Sequence, residues 1–454
     1  MEKYTGFSGH ASLASVGMWM NENQIWEVIE ERVKIKQKVV KHTPTDKMKD
    51  LLINILAGGH GIADVNNRVR VDKPIQLAFG RNVCAEQSTI SETLDTSTEE
   101  NVLEFGGALK VIYKKHGQGY QHDYENKCQV LDIDLSAMLS GKQAQGATKG
   151  YFSGHENRRG RQLGRVVASL YDEIVCEKLY PGTVQLEKNL PELIKMAENV
   201  LDLDENRRKR TILRVDAGGG TDANINFFLE RGYFGMIKVK NWQRTCKLVK
   251  TVTSWQALPQ LPDHEWGWVG EPHEYVQPTQ QLAIRWPNKK KGGWHYAVLV
   301  FNLTDELIFE LACLPMPQIF TKLELISAIL DAYDLRGGGV ETSYKNSKQG
   351  IGLHKRNKKS FHAQAMLILL AQLAYNMIGW VQNELAQHSS KIASFGTLRM
   401  IRDAFQISGK IDFDTEGNIV AITLNQIHKL AQAFHDYWQS RFTQGQVCFI
   451  LGEI

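Results

Sequence analysis

The chain has 454 residues, 43% of them hydrophobic and 23% charged, an ordinary globular composition with room for two to four folding units at ~150 residues each. Lys and Arg number 54 against 50 Asp and Glu, a formal charge of +4, so any nucleic-acid surface must come from local patches rather than from net charge. The six cysteines, at 84, 128, 176, 246, 313 and 448, lie far apart without a C-x-x-C pair, which excludes a zinc site or a disulfide framework and fits reduced thiols.

The N-terminus, starting Met1-Glu2-Lys3-Tyr4-Thr5-Gly6, shows no apolar signal core. The longest apolar run, Ala365 to Ala371, falls short of the ~20 residues that span a bilayer. A soluble, cytoplasmic protein with no membrane partner is expected.

Residues 1–127 read as mostly helical. Thr43-Pro44-Thr45-Asp46 is a helix start, with Thr43 as N-cap and Pro44 in the first turn. Apolar Met48, Leu51, Leu52, Ile55 and Leu56 follow, and Gly58-Gly59 ends the helix. A second start is expected at Glu86–Ser91. At Cys128 the texture changes to an alternating strand that ends on Asp132 and Asp134. Strands are expected at Leu163–Leu170 and Tyr180–Gln185, then a helix from Leu190 to Asp202 with Asn189 as N-cap. A strand Thr211–Asp216, the turn Ala217–Gly220, a helix Asp222–Arg231 and a strand Phe234–Val239 complete a strand–helix–strand unit.

Residues 241–318 are Trp-rich, with Pro-bounded alternating strands at Gln281–Trp286 and Trp294–Asn302. Helices return at Leu323–Tyr333, Val340–Lys348 and Phe361–Gln382, and an amphipathic helix is expected from Leu424 to Arg441. Five segments are therefore expected: a helical region 1–127, a first core part 128–240, a β-rich insertion 241–318, a second core part 319–385, and a C-terminal region 386–454.

Three acids carry the chemistry. Asp134 and Asp216 sit at strand ends, and Glu341 lies near the start of a helix. Cutting a phosphodiester by in-line attack calls for two divalent ions ~3.5–4 Å apart, and Mg²⁺ takes carboxylate oxygens through few protein ligands. Each acid alone is more often a cap, a turn residue or a solvated charge. The third stretch is sharper: Tyr333-Asp-Leu-Arg336-Gly-Gly-Gly-Val-Glu341-Thr-Ser-Tyr-Lys-Asn-Ser-Lys348. Glu341 and Lys348 stand almost two helical turns apart, ~10 Å, and share a face. Arg336 and Lys348 flank the acid as phosphate-binding cations, and Gly337-Gly-Gly339 puts a hinge before the helix.

This stretch resembles the Y-x-x-R-…-E-x6-K signature of DDE insertion-sequence transposases. Val130-Leu-Asp-Ile-Asp-Leu-Ser136 and Arg214-Val-Asp-Ala-Gly-Gly219 resemble the two Asp motifs of insertion-sequence family 1380. Asn226–Tyr233, Tyr296–Leu303, His42–Asp46 and Gln87–Ser91 continue the likeness, which covers nearly the whole chain. It implies an α/β, ribonuclease-H-like catalytic core interrupted by a β-strand insertion, with a helical N-terminal region for DNA-end recognition and a helical C-terminal tail. It also implies catalysis by Asp134, Asp216 and Glu341 with Mg²⁺, for which Mn²⁺ can substitute. The first motif carries Leu135-Ser136 where relatives often have a small residue and Thr, so the first metal ligand is Asp134 or Asp132, Asp134 being favoured.

Basic clusters interleave with these motifs: Arg158, Arg159 and Arg161 beside Arg165; Lys238 and Lys240; Lys289–Lys291; and Lys355, Arg356, Lys358 and Lys359. Arg158, Arg159, Arg161, Lys238, Lys240, Lys355, Arg356, Lys358 and Lys359, with Tyr333, Arg336 and Lys348, are the expected DNA contacts, each cation making binding more salt-dependent; each cluster also suits a solvated face, and for Lys289–Lys291 both readings stay open. Trp255, Trp266, Trp268, Trp286 and Trp294 suit either a small core or stacking on an unpaired base. The expected activity is cut-and-paste transposition: metal-dependent cleavage at terminal inverted repeats and strand transfer into target DNA by a homodimer on paired ends. The alternative is a domesticated transposase that binds DNA without cutting.

Overall fold

The computed structural model describes residues 3–38, 41–152, 157–290, 292–441 and 447–453; Lys291 of the expected basic clusters lies outside them. The chain divides into two compact units, each assembled from separated segments. One comprises Met1–Gly117, Met138–Ala147 and Tyr344–Ile454; the other comprises Gln118–Ala137 and Thr148–Ser343. Both units thus join stretches that a division in chain order keeps apart.

In the first unit the helix Pro44–Leu56 starts as its sequence dictates. The Thr43 side chain accepts from the Asp46 N–H, and the Asp46 carboxylate accepts from the Thr43 N–H, so two otherwise unpaired donors are satisfied together. Thr98 and Asn101 repeat the device at the helix Glu99–His116. The helix Phe361–Ala386 is apolar nearly all round and is almost wholly buried. Its length and composition alone would suit a membrane span, but here it forms the unit's core.

The termini are less helical than expected. Tyr4–Ser8 pairs antiparallel with Gly409–Phe413 in a four-stranded sheet that also contains Ile419–Asn425 and Cys448–Gly452. The tail helix begins only at Ala431, because Leu424 belongs to a strand.

The second unit is built on a ten-stranded mixed sheet. Along it run Thr148–Lys149, Arg159–Ala168, Gln129–Leu139, Thr211–Val215, Phe234–Lys238, Trp294–Phe301, Gln280–Pro287, Leu261–Trp268 and Gln256–Leu258, with Glu173–Pro181 paired off Arg159–Ala168. The three central strands are parallel: Gln129–Leu139 pairs with Thr211–Val215, which pairs with Phe234–Lys238. Their apolar runs, Val130-Leu131 and Ile212-Leu213 among them, are buried, as strands covered on both faces require. The helices Leu186–Leu201 and Asp222–Glu230 make the connections.

Several boundaries differ from the sequence expectation. Glu173–Pro181 is a hairpin partner of Arg159–Ala168, so only the start of Tyr180–Gln185 is strand. The following helix begins at Leu186, preceded by Gln185 rather than Asn189; the Asn189 amide instead donates to the Gln185 carbonyl at 3.1 Å. The Asp134 strand runs on to Leu139. The strands expected within a separate insertion continue the same sheet, Trp294–Phe301 pairing directly with Phe234–Lys238. Their buried faces, through Trp266, Leu282, Leu299 and Phe301, share one core with Ile212 and Met236.

Candidate active site

The parallel register pairs Asp132 with Arg214 and Ile133 with Val215. The next residues on the two strands, Asp134 and Asp216, therefore come side by side. Beyond Asp216 the backbone turns on its own side chain, one Asp216 oxygen accepting from the Gly218 N–H at 2.8 Å. Gly220 then presses on the neighbouring strand: a Cβ there would lie 1.8 Å from the Lys238 carbonyl oxygen. That closeness lets the Lys240 N–H donate to the Gly220 carbonyl at 2.8 Å.

The helix Lys322–Arg336 crosses these strand ends. The Tyr333 hydroxyl donates to the Val215 carbonyl at 3.2 Å, one residue before Asp216. Lys238 lies over the Tyr333 ring, 4.5 Å from its centre, close enough for cation–π attraction. Burial pushes the Lys238 ammonium below its ordinary pKa, while Asp334 works in the other direction.

Gly337–Glu341 is not a loose hinge but a π-helical turn that leads into the helix Thr342–Gln349. In an ordinary α-helix five residues make about 1.4 turns, which would set Arg336 and Glu341 on different sides. The wider turn, with its i→i+5 pattern, returns them to one face. Arg336 then reaches two acids, donating to Asp134 Oδ2 at 3.3 Å and to Glu341 Oε1 at 2.5 Å.

The electrostatics of this cluster are dominated by Asp134. Burial and the neighbouring Asp216 push its carboxyl up to about 7, with Glu341 adding in the same direction and Arg336 opposing. Arg336 pairs with two of these acids, Asp134 and Glu341, and Lys238 lies near the cluster. Among the described residues no group of three or more His, Cys, Asp or Glu side chains is arranged to hold a metal ion. Arg336 stands between Asp134 and Glu341 as their counter-ion.

Asp132 has a different task. It is fully buried, and both its oxygens are engaged: by Arg214 Nε at 2.7 Å and Nη2 at 2.9 Å, and by the Ser169 hydroxyl at 2.5 Å. The geometry thus speaks against the expectation that Asp132 is a metal ligand, since its lone pairs are already directed at a guanidinium.

The expected DNA contacts separate in the same way. Tyr333, Arg336 and Lys238 gather with the acids. Lys240 is exposed and pairs with Glu187 at 2.6 Å. Arg158 is exposed and Arg159 half-buried, but Arg161 is 1% exposed on its strand and cannot meet a phosphate in this conformation. In the first unit Arg356 is likewise buried, donating to the carbonyls of Ile351 and Gly59. Lys358 pairs with Asp95 at 2.5 Å, while Lys355 and Lys359 are exposed. Lys348 lies on the helix Thr342–Gln349, 5.9 Å from the Tyr344 ring centre. Of the tryptophans, Trp266 is core and Trp268 packs against it. Trp286 stacks between His264 and His295, and Arg285 is held between Trp255 and Trp294 at 4.3 Å from each.

Sequence reasoning missed Arg214, Ser169 and the reason for Gly339. The signal for Arg214 was there: a lone charge inside the apolar strand Ile212-Leu213-Arg214-Val215, where a buried cation needs a buried partner.

A family model described as transposase DDE domain, group 1, matches residues 17–440. The chain therefore belongs to that transposase family. No curated protein is similar in sequence. Among solved structures, the cryo-EM structure of the piggyBac transposase synaptic complex with hairpin DNA is similar at 10% identity and a TM-score of 0.46, covering 85% of this chain and 80% of that one.

Proposed function

We propose that this transposase cuts and joins DNA by a cut-and-paste route, with Asp134, Asp216 and Glu341 as its catalytic acids on a ribonuclease-H-like core. The observation that carries this reading is the pairing of Asp134 with Asp216 at the ends of two parallel strands, close enough for Asp216 to raise the Asp134 carboxyl. Mutual repulsion of buried acids is costly for a fold and is characteristic of functional sites.

The donor set fits a hard divalent cation, Mg²⁺ or Mn²⁺, because all its ligands are carboxylate oxygens. Asp134 and Asp216 would hold it, joined by Glu341 once that side chain leaves Arg336. When bound, such an ion supplies positive charge to the reacting phosphate and activates the attacking oxygen.

The protein's own groups do the rest. Arg336, released from its acids, and Lys238 present cations to a phosphate at the strand ends. Tyr333, anchored by its bond to the Val215 carbonyl, places its ring under Lys238. In the same unit, exposed Arg158 and Lys240 would extend the grip along a duplex; within the other unit, Lys348 and exposed Lys355 and Lys359 would be further phosphate contacts. The substrates under this reading are the terminal inverted repeats of an insertion sequence resembling family 1380 and its target DNA, handled by a homodimer on paired ends.

The test uses duplexes carrying the DNA that flanks the gene. In Mg²⁺ the wild type should cut at an end. Asp216→Asn and Glu341→Gln should abolish cutting while end binding changes by no more than a few-fold. Cleavage that survives Asp216→Asn would overturn the assignment.

A further inference from the structure

Two residues before each paired aspartate lies a member of a buried ion pair: Asp132 precedes Asp134, and Arg214 precedes Asp216. Both are nearly inaccessible, with side-chain exposures of 0% and 4%. Arg214 does more than neutralise Asp132. Its Nη1 donates to the Ala332 carbonyl at 2.7 Å, one residue before Tyr333 and one turn before Arg336. A single guanidinium therefore touches the Asp134 strand and the Arg- and Glu-bearing helix while standing on the Asp216 strand.

The other side of Asp132 closes the arrangement. Ser169, in the turn after Arg159–Ala168, donates to Asp132 Oδ2, and its backbone N–H donates to the Val130 carbonyl at 3.1 Å. Gly339, in the π-helical turn, comes so close that a Cβ would lie 2.0 Å from Asp132 Oδ2 and 2.7 Å from Ser169 Oγ. The elements that carry Asp134, Asp216 and Glu341 thus meet on one charge pair that itself faces no solvent.

We infer that Arg214, through Asp132 and Ala332, is the positioning residue that sets the three catalytic acids in register. A planar guanidinium is suited to this, because it offers donors in fixed directions to a carboxylate and a carbonyl at once, whereas a lysine ammonium is a point charge on a flexible stem. Buried ion pairs seldom add net stability over well-packed apolar side chains, which favours a role in geometry over one in folding energy. The inference rests on the reading of Asp134, Asp216 and Glu341 as the catalytic acids.

The experiment compares Arg214→Lys, the paired substitution Asp132→Leu with Arg214→Met, and Asp216→Asn as reference, all in the full chain. Three quantities are measured: end binding, end cleavage against Mg²⁺ concentration, and Mn²⁺ binding to the DNA-free protein by electron paramagnetic resonance. Groups that orient metal ligands typically affect affinity or activity by about 10–100-fold. Arg214→Lys should bind ends normally, cut about 10–100-fold more slowly and need more Mg²⁺ and Mn²⁺ for half-saturation. The paired variant keeps the buried volume without the charges. It should retain a cooperative thermal transition yet show the same weakened Mn²⁺ binding. If both variants cut and bind Mn²⁺ like the wild type while Asp216→Asn is inactive, Arg214 does not position the acids. If Asp216→Asn itself cuts, the reading of the acids fails instead.

Discussion

Gly339 has no room for a side chain because Asp132 occupies the space: a Cβ on Gly339 would stand 2.0 Å from the Asp132 carboxylate. Gly338, its neighbour in the π-helical turn, faces nothing within 4 Å. The glycine run is therefore one obligatory close approach beside an open position. Gly339→Ala should destabilise the protein by about 1–3 kcal/mol, the usual range for overfilling a packed site. Gly338→Ala should raise stability by about 0.4–1 kcal/mol by restricting the unfolded chain. Thermal melts of the two variants decide it; equal effects would mean that the turn is as pliant as its composition suggests.

Asp134 gives the fold a definite pH dependence. Its carboxyl is pushed up to about 7, above the ordinary value of about 3.9. The folded state therefore binds a proton more tightly than the unfolded chain does. That contribution to stability is complete below the ordinary carboxylate pKa and is lost as pH rises towards 7. Asp134→Asn, always neutral, should match the wild type near about pH 4 and be the more stable above about pH 7, in chelator. Parallel melting curves at all pH values would show that Asp134 is not the strained group.

Arg336 serves two carboxylates as counter-ion. In chelator above about pH 7, Arg336→Met should destabilise the fold, by less than the ~3–5 kcal/mol of a fully buried broken pair because the Glu341 side chain is half-exposed. Added Mg²⁺ should recover part of that loss in the variant and stabilise it more than it does the wild type, since cation and guanidinium compete for the same acids. A variant indifferent to Mg²⁺ would show that Arg336 does not occupy the cation's place.

Burial divides the basic residues into two groups. Arg161→Ala and Arg356→Ala should reduce thermal stability, because each removes a buried side chain. Arg158→Ala and Lys359→Ala, at exposed positions, should leave the melting temperature unchanged. Each should lower the log–log salt slope of DNA binding by about 0.9, one counterion. An unchanged slope for both exposed variants would place the DNA elsewhere on the protein.

Local chemistry was readable along the chain. The Thr43–Asp46 capping box, the helix Asp222–Glu230 and the strands Gln280–Pro287 and Trp294–Phe301 follow from neighbours a few residues apart, and so the sequence alone determined them. The likeness of the Asp134, Asp216 and Glu341 motifs to transposases was legible for the same reason, since each motif is short and contiguous. What the sequence could not supply was pairing over long separations. Tyr4–Ser8 finds its partner at Gly409–Phe413, and the strands after Trp255 extend the central sheet because backbone groups at a sheet edge accept any strand whose pattern suits the face. Tertiary structure alone also decided which charges are internal. Arg161 and Arg356 look like Arg158 in a string of letters, but a guanidinium out of reach of water must be met by carboxylates or carbonyls. Asp132 and Asp134, two residues apart, share one face of their strand, so side-chain alternation does not separate them. The tertiary structure does: Asp132 lies opposite Arg214 in the register and is buried against it, while Asp134, past the last residue paired with that strand, stands beside Asp216.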